Sequence, residues 1–251
     1  LEFIEMTYGI QCVNNSGELT LSSDGMMFGY IGKATLLSRS TWSGSTSTSQ
    51  QGLLTYTINW PGPIMVAIGL KTSGSAGAAV QSVTPGTGTT WHISIIDATT
   101  TTEGPDTTSR YYVPATASDV YCWGLPTSVS GYGVGLYTAA GTLSADLSRR
   151  PLMFASRIAL ADSVMTATVP ALIKPAIMGQ PNSAHNLSTN THSGGTPWYM
   201  TGYTGVWGLT SSTDLYRGDI LTSAYHDDGG GIAHAYHGPT NALLIEANGL
   251  T

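Results

Sequence analysis

The chain has 251 residues, a formal net charge of -6 at pH 7 and only 10% charged residues. That length can bury a real core without disulfides, and the negative balance argues against nucleic acid or an anionic membrane surface as a partner, since both favour a basic patch. Ser40 to Leu70 and Thr72 to Ile96 hold no Asp, Glu, Lys or Arg at all, a charge deficit unusual for a free-standing cytosolic enzyme. Two readings of it stay open. Either the neutral surface is covered by copies of the chain, by partner proteins or by polar recognition, or this is simply a Thr-rich β protein, since Thr suits a pleated, half-buried surface.

The opening, "LEFIEMTYGI", carries Glu2 and Glu5 where a secretory signal would carry positive charge, so no cleavable signal is expected. From Tyr8 the text reads "YGIQCVNNSGELTLSS", and from Tyr132 it reads "YGVGLYTAAGTLSADL", 124 positions on and without a gap. Each has an aromatic-glycine start, an apolar run, a small polar turn closed by glycine and a second alternating run. Both are predicted hairpins. Gly9 and Gly133 would let a strand start close to another backbone, while Gly17 and Gly141 would close the turns with positive φ.

Between and after these phrases, alternating or β-branched runs dominate: "LLTYTINW", "IMVAIGL", "TWHISIID", "RYYV", "VYCW", "SVMTATV" and "ALLIEA". Almost nowhere do apolar residues recur at helical spacing. The predicted class is all-β: two tandem β-sandwich-like modules, residues 1–130 and 131–251, or one large β sandwich, opened by the repeated hairpins. The second module has a loop-rich C-terminal part. Ser43 to Gly52, Thr84 to Thr90 and "TTTTEGPDTTS" (Thr99 to Ser109) read as exposed polar loops, as does the small-polar text from Gln180 to Trp198. The longest apolar stretches, such as Pro63 to Leu70, are of strand length, so no membrane insertion is expected.

Chemistry-bearing residues are few. "WYMTGYTGVWGL" sets Trp198, Tyr199, Tyr203 and Trp207 between glycines: either an aromatic hairpin packed on a core, or an exposed platform for sugar rings or a partner subunit. "YRGDILTSAYHDDGGGIAHAYHG", with Asp214 upstream, holds Asp219, His226, Asp227, Asp228, His234 and His237. These are zinc or calcium ligand types, but no HExxH is present, and a polar loop with turn-capping Asp residues is the expectation. No metal or cofactor is expected. "RGD" at Arg217 to Asp219 is short enough to arise by chance. There is no GxSxG elbow, no phosphate-binding glycine loop and no carboxylate pair singled out by spacing, so no catalytic residue is assigned and a non-enzyme is expected. Cys12 and Cys122 form no metal or CxxC spacing; Cys12 reads as a buried thiol.

The pattern "YGIQxxNxSGELTLSSD" followed by "GYIGKATLL", with "YGVGLYTAAGTLSADLSRRPL" later, resembles a group of small tail proteins of long-tailed bacteriophages. The resemblance covers Tyr8 to Leu37 and Tyr132 to Ile158, and departs where "LSADLS" stands for the usual "VFDS". It implies a structural protein of the tail tip or baseplate, made in the host cytoplasm and released in virions by lysis. Its partners would be copies of itself as trimer or hexamer, other tail proteins, and a host surface glycan or protein. A capsid decoration or fibre subunit is the nearest alternative. A secreted carbohydrate-binding module or glycan hydrolase, with Asp214, Asp219, Asp227 and Asp228 as its acidic candidates, is the alternative from another class.

Overall fold

The computed structural model describes residues 11–13, 19–22, 26–43, 50–72, 76–103, 108–112, 117–129, 133–161, 166–179, 182–189, 198–226 and 240–251. Among these the chain is all-β. The strands up to residue 130 are β1 (Gln11–Val13), β2 (Leu19–Ser22), β3 (Gly29–Lys33), β4 (Thr35–Ser43), β5 (Gln50–Asn59), β6 (Ile64–Gly69), β7 (Ala76–Pro85), β8 (Thr90–Glu103), β9 (Thr108–Tyr112) and β10 (Val120–Gly124). Those after it are β11 (Gly135–Tyr137), β12 (Leu143–Asp146), β13 (Ser156–Leu160), β14 (Thr166–Thr168), β15 (Pro175–Met178), β16 (Asn182–Thr189), β17 (Trp198–Leu209), β18 (Asp214–His226) and β19 (Thr240–Glu246).

Alternation decides which side chains meet. In β6, Val66 and Ile68 point to one face and Ala67 to the other. Val66 and Ile68 join Val120 and Cys122 of β10 against Leu54 and Tyr56 of β5, Ala78 and Val80 of β7, and Ile93 and Ile95 of β8, forming one core. A second core packs Ile158 and Leu160 of β13, Ile177 of β15 and Leu244 of β19 against Trp207 and Leu209 of β17 and Leu215 of β18. Each core lies between two antiparallel sheets, one of order β13-β19-β15-β6-β10-β3, the other β14-β18-β17-β7-β8-β5-β4 with β16 beside β17 and β9 beside β8. This is a β sandwich. Each core draws its buried residues from one side of residue 130, yet neither sheet is divided there.

The pairing registers reveal a duplication. β1 pairs with β2 as Gln11↔Ser22, Cys12↔Leu21 and Val13↔Leu19, with an irregularity after Cys12. β11 pairs with β12 as Gly135↔Asp146, Leu136↔Ala145 and Tyr137↔Leu143, so every partner stands 124 positions on, and so does the irregularity, after Leu136. The same offset relates β7–β8 to β17–β18: Val83↔Ile93 becomes Trp207↔Arg217, and the bulge between Val80 and Ser82 becomes one between Thr204 and Val206. It also relates Val120 of β10 to Leu244 of β19, whose partners Ile68 of β6 and Ile177 of β15 stand 109 positions apart (177 − 68). Turn contacts repeat too: Gly86 N to Thr90 O (2.8 Å) matches Thr210 N to Asp214 O (2.9 Å).

The two copies meet about a pseudo-two-fold axis. Ile68 pairs directly with its counterpart Ile177 where β6 joins β15, and β7 joins β17 at Ala78↔Trp207. Reading outward from these seams, β6-β10-β3 answers β15-β19-β13 and β7-β8-β5 answers β17-β18-β14. Among the described residues β4, β9 and β16 have no matching strand. Within one copy the order β3-β10-β6 against β5-β8-β7 wraps as a jelly roll does.

Four polar segments read as loops are partly strand. β4 runs to Ser43 and β5 begins at Gln50. β8 runs through the threonines to Glu103 and β9 begins at Thr108; β16 occupies Asn182–Thr189; and β18 carries the "YRGDILTSAYH" text. In each case ladder pairing and the β preference of Thr, Tyr and Ile outweigh polarity. By contrast, Gly86 to Thr89 is the exposed turn expected there.

Candidate partner-contact surface

The six-stranded sheet is buried on its outward face as well, which is why β10, "VYCWG", is buried at every position. Tyr121 and Trp123 of β10, Ala67, Ala176 and Ile245 form that outer cluster, with Phe28, Tyr30 and Leu152 packed on it. The cover is a short antiparallel pairing: Tyr30 N donates to Arg150 O (2.8 Å) and Leu152 N to Phe28 O (2.9 Å). On the other edge of the first segment, Met27 N donates to Ser144 O (2.8 Å), which seats the β11–β12 hairpin beside it.

Local chemistry fixes that hairpin. Its turn closes through Thr138 N to Thr142 O (2.8 Å) and Gly141 N to Thr138 O (2.9 Å), and Gly141 has φ +78° as its turn position requires. Gly133 serves differently from expectation: a Cβ there would lie 2.8 Å from Ser148 Cβ, so the glycine admits a side chain and not a backbone. Gly9 and Gly17 lie outside the described residues. After β12, buried Asp146 accepts from Ser148 N (3.0 Å) and Ser148 Oγ (2.5 Å) and forms an ion pair with Arg149 Nε (3.2 Å). The Arg149 guanidinium then lies over the Trp60 ring, 4.9 Å from its centroid. Trp60 is held by its own bond to Leu125 O (2.9 Å). An aspartate, an arginine and an indole thus clamp the second hairpin to the first copy.

What this surface leaves outside is apolar. Val134 and Leu147, joined by Leu147 N to Val134 O (2.9 Å), are 60% and 44% exposed, with Tyr137 at 53% and Met26 at 50%. Beyond the paired segments, Met153 and Phe154 are exposed beside a cavity of about 220 Å³ lined by Trp123, Arg150, Phe154, Ile245, Glu246 and Leu250. Glu246 receives backbone N–H bonds from Ile173, Lys174 and Asn248 at 2.8–2.9 Å. Burial pushes its carboxyl up, but those donors and the charge of Arg150 together hold it below the ordinary value of 4.5.

Of the two readings of the aromatic segment, packed on a core or exposed as a platform, Trp207 takes the packed one and is not a contact residue. Trp207 is 1% exposed and belongs to the second core, because the register of β17 turns it inward. Trp198, Tyr199 and Tyr203 share β17, whose backbone pairs with β16 and β18, but their side chains lie outside the described residues. Asp214 is an exposed turn residue bound to Ser211 Oγ (2.7 Å), as turn capping predicts. His226 ends β18 and Asp219 lies within it, while Asp227, Asp228, His234 and His237 fall outside the described residues. Among the described residues no His, Cys, Asp or Glu group is arranged to hold a metal. Arg217 is 1% exposed, so the "RGD" arginine is not displayed. Cys122 is a free, buried thiol.

Sequence reasoning missed the Asp146–Arg149–Trp60 clamp, whose members meet only through the fold. The "RRPLMF" text at Arg149 to Phe154 carried the one available signal, two cations followed by apolar residues. No family model, curated protein or solved structure matches the chain.

Proposed function

We propose that this is a non-enzymatic structural protein of a bacteriophage tail tip or baseplate, acting by assembly and surface contact. The observation that carries the reading is the group of exposed apolar residues on and beside the β11–β12 hairpin, Met26, Val134, Tyr137 and Leu147. Exposed apolar groups of this kind mark protein–protein surfaces, and this one sits on a chain with few charges to keep it apart from its neighbours. The likeness of the hairpin phrases to tail proteins supplies the setting. Closed rotational symmetry, as a trimer or hexamer about a tail axis, is the assembly that fits. Any host glycan or protein contact would fall to Trp198, Tyr199 and Tyr203.

Gold-tagged antibody against the recombinant protein, viewed on purified particles, tests the assignment. Label at the far tail end is expected. Label over the head would move the protein to capsid decoration, and unlabelled particles together with sugar release from host polysaccharide would overturn the reading altogether.

A further inference from the structure

We propose that the cavity beside Trp123 is the seat of the chain's own first hairpin, β1–β2. The argument starts from the duplication. β12 lies along one edge of residues 26–30, held by Met27 N to Ser144 O, and residues 150–152 lie along the other. In the second copy the counterpart of residues 26–30 is 150–154, with Pro151 in the place of Met27 and so without an N–H to repeat that bond, and the counterpart of β12 is β2. The pseudo-two-fold axis therefore puts β2 on the far edge of residues 150–154. Met153 and Phe154 stand there 69% and 47% exposed, and Pro151, Met153 and Phe154 line the cavity with Trp123.

One further observation points the same way: the tether is short. Only Ser23, Asp24 and Gly25 separate the end of β2 from Met26, a span of roughly 14 Å at full extension. The antiparallel register of Phe28 with Leu152 and Tyr30 with Arg150, carried two residues further, sets Met26 across from Phe154. The hairpin thus begins beside the apolar surface it covers. Docked, it completes an outer layer of β12, residues 26–30, residues 150–154 and β2 over the six-stranded sheet.

Hydrogen exchange on the full chain tests this. Amides of Gln11–Val13 and Leu19–Ser22 should exchange slowly in the unaltered protein and at least about tenfold faster in Met153→Asp/Phe154→Asp, with β6 and β10 unchanged. Hairpin amides that exchange freely in the unaltered protein, or equally in both, overturn the proposal. Protection that grows with protein concentration overturns it in favour of a hairpin from a second copy. Should the variant lose protection in β6 and β10, hydroxyl-radical labelling of the unaltered chain decides. Met153 labelled well below Met26 is expected, whereas Met153 above Met26, as their bare exposures of 69% and 50% dictate, refutes the seat.

Discussion

Burial pushes the Cys122 thiol up to about 12, against a smaller opposing effect from its hydrogen bond with the Ala34 backbone. The reactive thiolate is therefore scarce at neutral pH and the sulfur has no path to solvent. Alkylation followed by peptide mass analysis should show Cys122 modified only as fast as the protein unfolds. Gly124 is constrained by volume: a Cβ there would overlap the Trp60 ring, which its bond to Leu125 holds in place. Gly124→Ala should cost about 1–3 kcal/mol in denaturant titration. At Glu246 the folded carboxyl titrates below its ordinary 4.5. The stability it adds is complete above that value and is lost as pH falls through the lower folded one. Melting temperatures of the unaltered protein and Glu246→Gln should differ most near neutral pH and converge in acid.

At the scale of elements, the second hairpin rests on its buried aspartate. Asp146→Ala leaves Ser148 N without its acceptor and Arg149 without its counter-charge, a loss of about 1–3 kcal/mol that should appear as faster exchange in β11–β12 before any change in the cores. The hairpins, β5, β6, β8, β10 and β19 were legible in sequence because apolar alternation and a closing glycine are local properties. β16 and much of β18 were not, since their text is polar and a partner strand distant in sequence stabilises them. Trp207 shows the same limit at a candidate site: its composition suits an interface or a core equally, and only the register of β17 against β18 decides which face it takes.

Across the whole molecule, the two cores are separate but both sheets run through the seam between the copies. Unfolding one copy would strip the β6 and β7 edges of their partners, so heating should give a single calorimetric transition; two resolved transitions would contradict the shared sheets. Ile68→Ala and Ile177→Ala should each cost about 2–5 kcal/mol, and the double variant should depart from their sum because the two side chains are cross-strand neighbours. The spacing of 124 residues was visible in sequence at the hairpins alone. Elsewhere the copies keep their ladders while exchanging their side chains, as Ile93 and Arg217 do at equivalent places, so register preserved the kinship after the letters had lost it.

The pairing of Ile68 with its own counterpart says something about descent. An edge that joins to its own image about a two-fold axis is what a symmetric homodimer uses. A half-length ancestor carrying these strands could have made the same two seams with a second identical molecule. Joining the two genes would then have removed the need to meet by diffusion, and released each half to diverge, so that one kept an isoleucine where the other admitted an arginine.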